Sequence, residues 1–117
     1  MKSKVDVLVV DDDSSVTYIL RQLLDDLGLR ASFASNGREG YERALDLHPR
    51  LILSDVMMPL MRGDEMLRVL RENENTAAIP CILMTSATTE LHIRANDFLA
   101  KPFDLDQLES LLMRHLG

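Results

Sequence analysis

Residues 51–59 have the sequence Leu-Ile-Leu-Ser-Asp-Val-Met-Met-Pro. An apolar run therefore ends in one acidic residue, Asp55, and a loop with a proline follows at once. This order is typical of a buried strand that carries a carboxylate to the rim of a parallel sheet. An earlier apolar run, over residues 5–10, ends in three consecutive aspartates. If the two strands are neighbours, several carboxylates meet at one edge, where their repulsion calls for a cation or a proton.

The composition bounds the class of protein. The chain has 117 residues, of which 46% are hydrophobic and 27% charged, and this predicts one globular domain over residues 1–117. The formal net charge of -6 argues against a nucleic-acid surface, because phosphate binding needs clustered lysine and arginine. No stretch approaches the length of a membrane span, and the first apolar run is too short for a secretory signal. We therefore expect a soluble cytoplasmic protein that binds neither nucleic acid nor membrane.

The cysteine and histidines predict no metal site of their own. Cys81 is the single cysteine, so an internal disulfide is excluded, and its apolar neighbours predict a buried, inert thiol. His48, His92 and His115 are scattered without metal-ligand spacing. We expect all three to be surface residues.

Strand and helix patterns alternate along the chain. Apolar runs predict strands at residues 5–10, 30–34, 51–55, 81–84 and about 97–100. Asp13 or Ser14 can cap the first helix, and Asp104 can cap the last one with Gln107 three residues on. Such alternation predicts an α/β fold with a doubly wound, five-stranded parallel sheet and helices on both faces. Function in these sheets collects at the carboxyl ends of the strands.

Chemically active side chains follow the predicted strands at that edge: Asp11, Asp12, Asp55, Thr85 and Lys101. The carboxylates are hard oxygen ligands suited to Mg²⁺. The hydroxyl and the amine can hold an anionic oxygen. Together they suit phosphoryl transfer, in which a carboxylate can itself be the acceptor. The alternative for an acidic strand end is helix capping in solvent, which explains Asp13 well enough to leave it out of the site.

Four motifs carry a resemblance to a known family. They are Val-Val-Asp-Asp-Asp at residues 9–13, Asp-Val-Met-Met-Pro at 55–59, Met-Thr-Ser at 84–86 and Lys-Pro-Phe at 101–103. In this order at strand ends, they make the whole chain resemble the receiver domain of two-component response regulators, of the chemotaxis-regulator type. The resemblance implies the flavodoxin-like strand order 2-1-3-4-5.

The same resemblance implies a role for each site residue. Asp55 would be the phosphorylated residue. Asp12 and Asp55 would bind Mg²⁺ directly, together with the backbone carbonyl of Met57, and Asp11 would act through water. The residues holding the phosphoryl group would be Lys101 and Thr85.

Two further assignments rest on the resemblance alone. The bond between Lys101 and Pro102 would be cis. Phe98, three residues before Lys101, would occupy the position of the switch aromatic, although an ordinary structural aromatic is an equally good interpretation.

The resemblance also implies partners and a mechanism. A sensor histidine kinase or a histidine phosphotransfer protein would phosphorylate Asp55 and shift the domain between two conformations, which a downstream effector would read. A homodimer is compatible with this mechanism. Apart from its own phosphotransfer and slow autodephosphorylation, the domain would not be an enzyme. The chain fits a stand-alone regulator and a part of a longer or hybrid protein equally.

The chain departs from the family pattern after Thr85. Only 16 positions separate Thr85 from Lys101, fewer than is usual in receiver domains, so we predict a fourth helix that is short, irregular or absent. Leu91, Ile93 and Ala95 alternate with polar residues, which also fits an extended segment. Met57 is bulky and Ala87 is small, and by analogy these positions predict a long-lived phosphorylated form.

Two rival functions are open at this point. A metal-dependent phosphohydrolase with an aspartyl nucleophile usually needs a second acid two residues later, and that position is Met57. A constitutive interaction module would keep the fold without switching, which the shortened stretch after Thr85 allows.

Overall fold

The computed structural model describes residues 4–86, 90–91 and 93–117. The elements follow in the order β1 (Val7–Val10), α1 (Ser14–Asp26), β2 (Ala31–Ala34), α2 (Gly37–Leu47), β3 (Leu51–Asp55), α3 (Gly63–Glu72), β4 (Cys81–Thr85), β5 (Asp97–Ala100) and α4 (Leu105–Leu116). All strand pairs are parallel, and the sheet has the order β2-β1-β3-β4-β5. The predicted fold class and strand order are confirmed.

Side chains just before the helices set where three of them begin. Asp13 accepts a hydrogen bond from the backbone N–H of Ser15 at 2.9 Å, and Asp104 accepts one from Gln107 at 2.7 Å. Asn36 caps α2 in the same way. These bonds satisfy N–H groups that have no partner inside the helix. The helix α3 differs, because Arg62 at its N-cap makes no capping side-chain bond.

Each face of the sheet buries its own apolar cluster. One cluster lies beneath α1 and α4 and includes the fully buried Leu20 and Leu108. The other lies beneath α2 and α3 and includes Ala44 and Cys81. Burial raises the pKa of the Cys81 thiol to about 12, and the prediction of a buried thiol is confirmed. Both clusters contain strand residues, because alternate residues of a strand point to opposite faces.

The connection from β4 to β5 has no described helix. Residues 86, 90–91 and 93–96 are all non-helical, which agrees with the prediction that a helix between β4 and β5 is short, irregular or absent. Residues 87–89 and 92 lie outside the described residues. Leu91, Ile93 and Ala95 pack against the apolar cluster beneath α2 and α3. These three side chains, from described residues that are not helical, thus cover part of that face of the sheet.

The histidines do not all lie on the surface. His48 is exposed at the end of α2, but His115 is half-buried, with Nε2 3.0 Å from Oδ2 of Asp97. The surface prediction is therefore wrong for His115, because the last turn of α4 packs against the start of β5. His92 lies outside the described residues.

Within the described ranges, no helix combines the length and the apolar composition that crossing a bilayer requires.

Candidate functional site

Parallel pairing brings three aspartates to one edge of the sheet. Asp11 follows β1, Asp55 ends β3, and these two strands are neighbours. One carboxylate oxygen from each of Asp11, Asp12 and Asp55 lies within 4.8 Å of the others. Asp11 is buried, Asp55 is half-buried and Asp12 is exposed. The cluster therefore has a buried base and an open side, and a cation could enter it from solvent.

Lys101 reaches into this cluster from the end of β5. Its Nζ lies 3.1 Å from Oδ1 of Asp55 and 3.4 Å from Oδ2 of Asp11. Its backbone N–H donates to the carbonyl of Thr85 at 2.8 Å, and the following bond to Pro102 is cis. The β4–β5 ladder thus fixes the point from which the amine is presented to both carboxylates.

The electrostatics of the cluster favour a bound cation. Burial, together with the charge of Asp55, raises the pKa of Asp11 in spite of the Asp13 N–H and Lys101. Burial alone would lower the pKa of Lys101, but the hydrogen bond to Asp55 and the charges of both carboxylates raise it overall. A buried carboxylate is costly to ionise without a nearby positive charge. Lys101 supplies one such charge, and a divalent ion could supply more.

The remaining predicted residues lie at different distances from this centre. Thr85 ends β4 half-buried, and its hydroxyl donates to the carbonyl of Ser86 at 3.2 Å. Met57 lies in the loop after β3 with its side chain 57% exposed. Ala87 lies outside the described residues. The structure thus brings Lys101 and the three aspartates together. It places Thr85 beside Lys101, whose backbone N–H donates to the Thr85 carbonyl.

Phe98 lies away from the acidic cluster. It pairs in register with Leu83 in the middle of β5 and is 43% exposed. It borders a surface groove together with residues of α4, including Gln107 and Arg114. Phe98 is exposed on β5, which is an edge strand of the sheet.

Gly63 is a site residue that the sequence pattern did not reveal. A Cβ at this position would overlap the carbonyl oxygen of Asp55 and lie 2.9 Å from Oγ of Ser54. The N–H of Gly63 donates to the carbonyl of Val56 at 2.8 Å. The first residue of α3 therefore packs directly against the end of β3 and closes the loop that carries Met57. The only signal in the sequence was a glycine at a helix start, where it has no intrinsic advantage.

The donor set fits a hard divalent cation. Three carboxylates with oxygens within one small volume match the preference of Mg²⁺ for a few carboxylate ligands plus water. The open side at Asp12 leaves room for the water ligands that this ion retains. Softer metals would call for cysteine or histidine, and Cys81 is buried in the core instead.

Comparison with known proteins supplies the family. The sequence model described as "Response regulator receiver domain" matches residues 7–113. The regulatory protein AtoC of Escherichia coli K12 is 35% identical over 116 residues, which are 94% of this chain but only 25% of AtoC. This chain thus spans about a quarter of that relative's length. An uncharacterized 14.6 kDa protein of Leptolyngbya boryana is 34% identical, over 97% of this chain and 91% of its own length.

A solved structure agrees with the sequence comparison. It is the receiver domain of the sensor histidine kinase PA1611 from Pseudomonas aeruginosa PAO1, described with a magnesium ion coordinated in its active site cleft. The two sequences are 28% identical, the TM-score is 0.89, and the match covers 96% of this chain and 97% of that one. The chain therefore belongs to the response regulator receiver domain family, a family of signalling domains of two-component systems.

Proposed function

We propose that residues 1–117 act as one phosphoacceptor domain in which Asp55 takes a phosphoryl group from a phosphohistidine. The donor is a sensor histidine kinase or a histidine phosphotransfer protein. The observation that carries this proposal is the Lys101 amine, 3.1 Å from Asp55 and 3.4 Å from Asp11. A cation fixed beside one half-buried carboxylate is suited to neutralise the charge that the carboxylate gains on phosphorylation.

The transfer itself exchanges one bond for another. An oxygen of Asp55 attacks phosphorus, the phosphorus–nitrogen bond of the phosphohistidine breaks, and the imidazole leaves with that electron pair and takes up a proton. Lys101 balances negative charge on the phosphoryl oxygens. Thr85, at the end of the adjacent strand, turns its hydroxyl from the Ser86 carbonyl to a phosphoryl oxygen.

Mg²⁺ is the proposed cofactor. Asp12 and Asp55 would hold it directly with the backbone carbonyl of Met57, and Asp11 would hold it through water. When bound, the ion supplies positive charge that offsets the developing charge on phosphorus-bound oxygens. The magnesium described in the PA1611 receiver domain and the packing of the three carboxylates support this assignment. Lys101 contacts two of these carboxylates, Asp55 and Asp11, so it offsets part of their charge between phosphorylation events.

The phosphodonor protein needs a surface beside the site. Two apolar side chains of α1, Tyr18 and Ile19, are 63% and 50% exposed, and Leu105 at the start of α4 is 42% exposed. Ile19, Pro102 and Leu105 line an open cavity of about 340 Å³ that also contacts Lys101. Exposed apolar patches of this kind mark protein-binding surfaces. We propose this surface for the donor, which would place its phosphohistidine over Asp55.

The output of the switch is a change of conformation that a downstream effector reads. Phosphorylation shifts the equilibrium between two conformations of the domain. The size of the shift is set by the difference in free energy with which the two conformations accommodate the new charge. The reader is a downstream effector, either a further domain of the same polypeptide, as the greater length of AtoC suggests, or a separate protein, which includes a second copy of this chain. The proposed cellular site is the cytoplasm, where ATP charges histidine kinases.

One observation favours the rival function, which is a constitutive interaction module. The described residues between β4 and β5 form no helix, and this is the region where a receiver domain is expected to change its surface. The rival differs from our proposal in a measurable way, because it requires no phosphorylation.

Intact mass spectrometry separates the two. The protein is incubated with acetyl phosphate, with and without Mg²⁺, beside the Asp55→Asn variant. Our proposal predicts a gain of one phosphoryl group that needs both Mg²⁺ and Asp55. Absence of any gain, or an equal gain in Asp55→Asn, would support the rival.

A further inference from the structure

The N-terminus of α3 has an arginine where the other helices have a capping acid or amide. Arg62 makes no capping bond, and arginine is not a preferred N-cap residue. Its guanidinium instead donates to both oxygens of Asp64 at 3.0 Å each. Asp64 is fully buried, so this two-pronged ion pair fixes the guanidinium against the body of the protein.

The same guanidinium also holds the connection between β4 and β5. Nη2 of Arg62 donates to the backbone carbonyl of Glu90 at 2.8 Å. At the other end of the connection, Arg71 of α3 donates to Oδ1 of Asn96 at 3.3 Å, and the N–H of Cys81 donates to the same oxygen at 2.8 Å. Arg62, directly before α3, and Arg71, within α3, thus contact Glu90 and Asn96, two described residues of the connection between β4 and β5.

A short path joins this contact to the phosphoacceptor. Asp55 ends β3, and its carbonyl oxygen touches Gly63 so closely that no side chain fits between them. Gly63 is the direct chain neighbour of Arg62. Any displacement of the Asp55 backbone would therefore be passed to Arg62, and through its 2.8 Å hydrogen bond to the Glu90 carbonyl.

We propose that Arg62 is a positioning residue that couples the phosphorylation state of Asp55 to residues 90–96. This inference rests on the proposed function, because it supplies the route by which the switched state reaches the surface. The route runs from the end of β3 through Gly63 and Arg62 to Glu90. It uses the side chain of Arg62, directly before α3, and needs no helix between β4 and β5.

The test compares hydrogen exchange at the amides of residues 90–96 with and without acetyl phosphate and Mg²⁺, with intact mass recorded on the same samples. The first variant is Arg62→Lys, which keeps a cation opposite Asp64 but cannot reproduce the planar fork. Arg68→Lys is the matched control, since Arg68 is exposed on the same helix. A second variant, Arg62→Gln with Asp64→Asn, removes both charges and keeps the test available if the first variant is unstable.

The wild-type protein and Arg68→Lys should gain the phosphoryl mass and change exchange at residues 90–96 by about fivefold or more, the lower end of ordinary coupling between sites. Both Arg62 variants should gain the mass while exchange changes by less than about twofold. Unchanged coupling in the Arg62 variants would overturn the inference. So would phosphorylation of the wild type without any change at residues 90–96. A wild type that gains no mass would instead refute the proposed function, and this inference with it.

Discussion

The Nζ atom of Lys101 lies 3.1 Å from Oδ1 of Asp55, although 46 positions separate them in the chain. The contact forms because Asp55 ends β3 and Lys101 directly follows β5, and both strands run parallel in one sheet. It puts a positive charge beside the carboxylate before any phosphoryl group arrives. Catalysis by fixed charges of this kind needs no rearrangement at the moment of reaction.

Removal of the amine tests this relationship. Lys101→Ala should slow phosphorylation of Asp55 by about 100-fold, the usual effect of losing one fixed charge-stabilising donor. The measurement is the initial rate of mass gain with acetyl phosphate and Mg²⁺. Lys4→Ala is the control, because Lys4 is exposed at the other end of the chain. Equal rates in Lys101→Ala and the wild type would show that the amine has no part in the transfer.

The close approach of Gly63 to Asp55 predicts a second effect. Gly63→Ala should destabilise the fold by about 1–3 kcal/mol, as is usual for overpacking a tight contact. It should also slow Mg²⁺-dependent phosphorylation by about tenfold or more, because the added Cβ displaces the Asp55 carbonyl and with it the loop after β3. Gly28→Ala is the matched control: its φ of 73° strains a side chain, but no atom lies within 4 Å of the added Cβ. That variant should lose about 1 kcal/mol and keep its phosphorylation rate. A Gly63→Ala protein with normal phosphorylation would contradict our account of the loop.

An ion cluster at the opposite end of the sheet predicts a pH dependence. Asp6 accepts hydrogen bonds from the backbone and side chain of Arg30 and from Arg50, at 2.8 to 3.3 Å. Burial alone would raise the pKa of Asp6, but these bonds lower it below its ordinary value of 3.8. The carboxylate therefore stabilises the fold fully above pH 3.8, and this contribution is lost as the pH falls through the lower folded-state pKa.

The corresponding variant is Asp6→Asn. It should lower the free energy of unfolding by about 2 kcal/mol at neutral pH, the usual value for hydrogen bonds to a charged group. Urea denaturation across a pH series measures the difference, which should shrink once the pH falls below the folded-state pKa. A difference that stays constant into strong acid would contradict the assigned ion cluster.

Burial of Cys81 predicts chemical inertness. The thiol is fully buried and its pKa is about 12, so almost no thiolate exists at neutral pH and none is accessible. Ellman's reagent should leave the native protein unmodified and react with one thiol per chain in urea. Prompt reaction of the native protein would show that the edge formed by β4 and β5 opens readily.

The sequence predicted those features that follow from local pattern. Apolar runs that end in Asp11, Asp55, Thr85 and Lys101 define where a parallel sheet places its reactive edge. The spacing after Thr85 also predicted that a regular helix would not fit there. The first inference depends only on the order of residues and on the general geometry of α/β sheets. The second depends on comparing this spacing with that of the receiver domains that the sequence resembles.

The features that the sequence did not reveal depend on contacts between distant segments. Arg62 followed by Gly63 and Asp64 looks like an ordinary turn and helix start, and only the folded chain brings the Arg62 guanidinium to the Glu90 carbonyl. His115 looked like a surface residue because no pattern shows that Asp97 lies 3.0 Å from it. Periodicity shows which face of an element is buried and leaves the identity of its polar partners open.

The most direct test of the central claim is to locate the phosphoryl group. The protein is phosphorylated with acetyl phosphate and Mg²⁺, reduced with borohydride, which converts an aspartyl phosphate to homoserine, and digested with trypsin. Cleavage at arginine and lysine places Asp55 in the peptide of residues 51–62, apart from Asp11 and Asp12 in the peptide of residues 5–21. Our account predicts homoserine at position 55 alone. Homoserine at position 11 or 12, or none in either peptide, would contradict it.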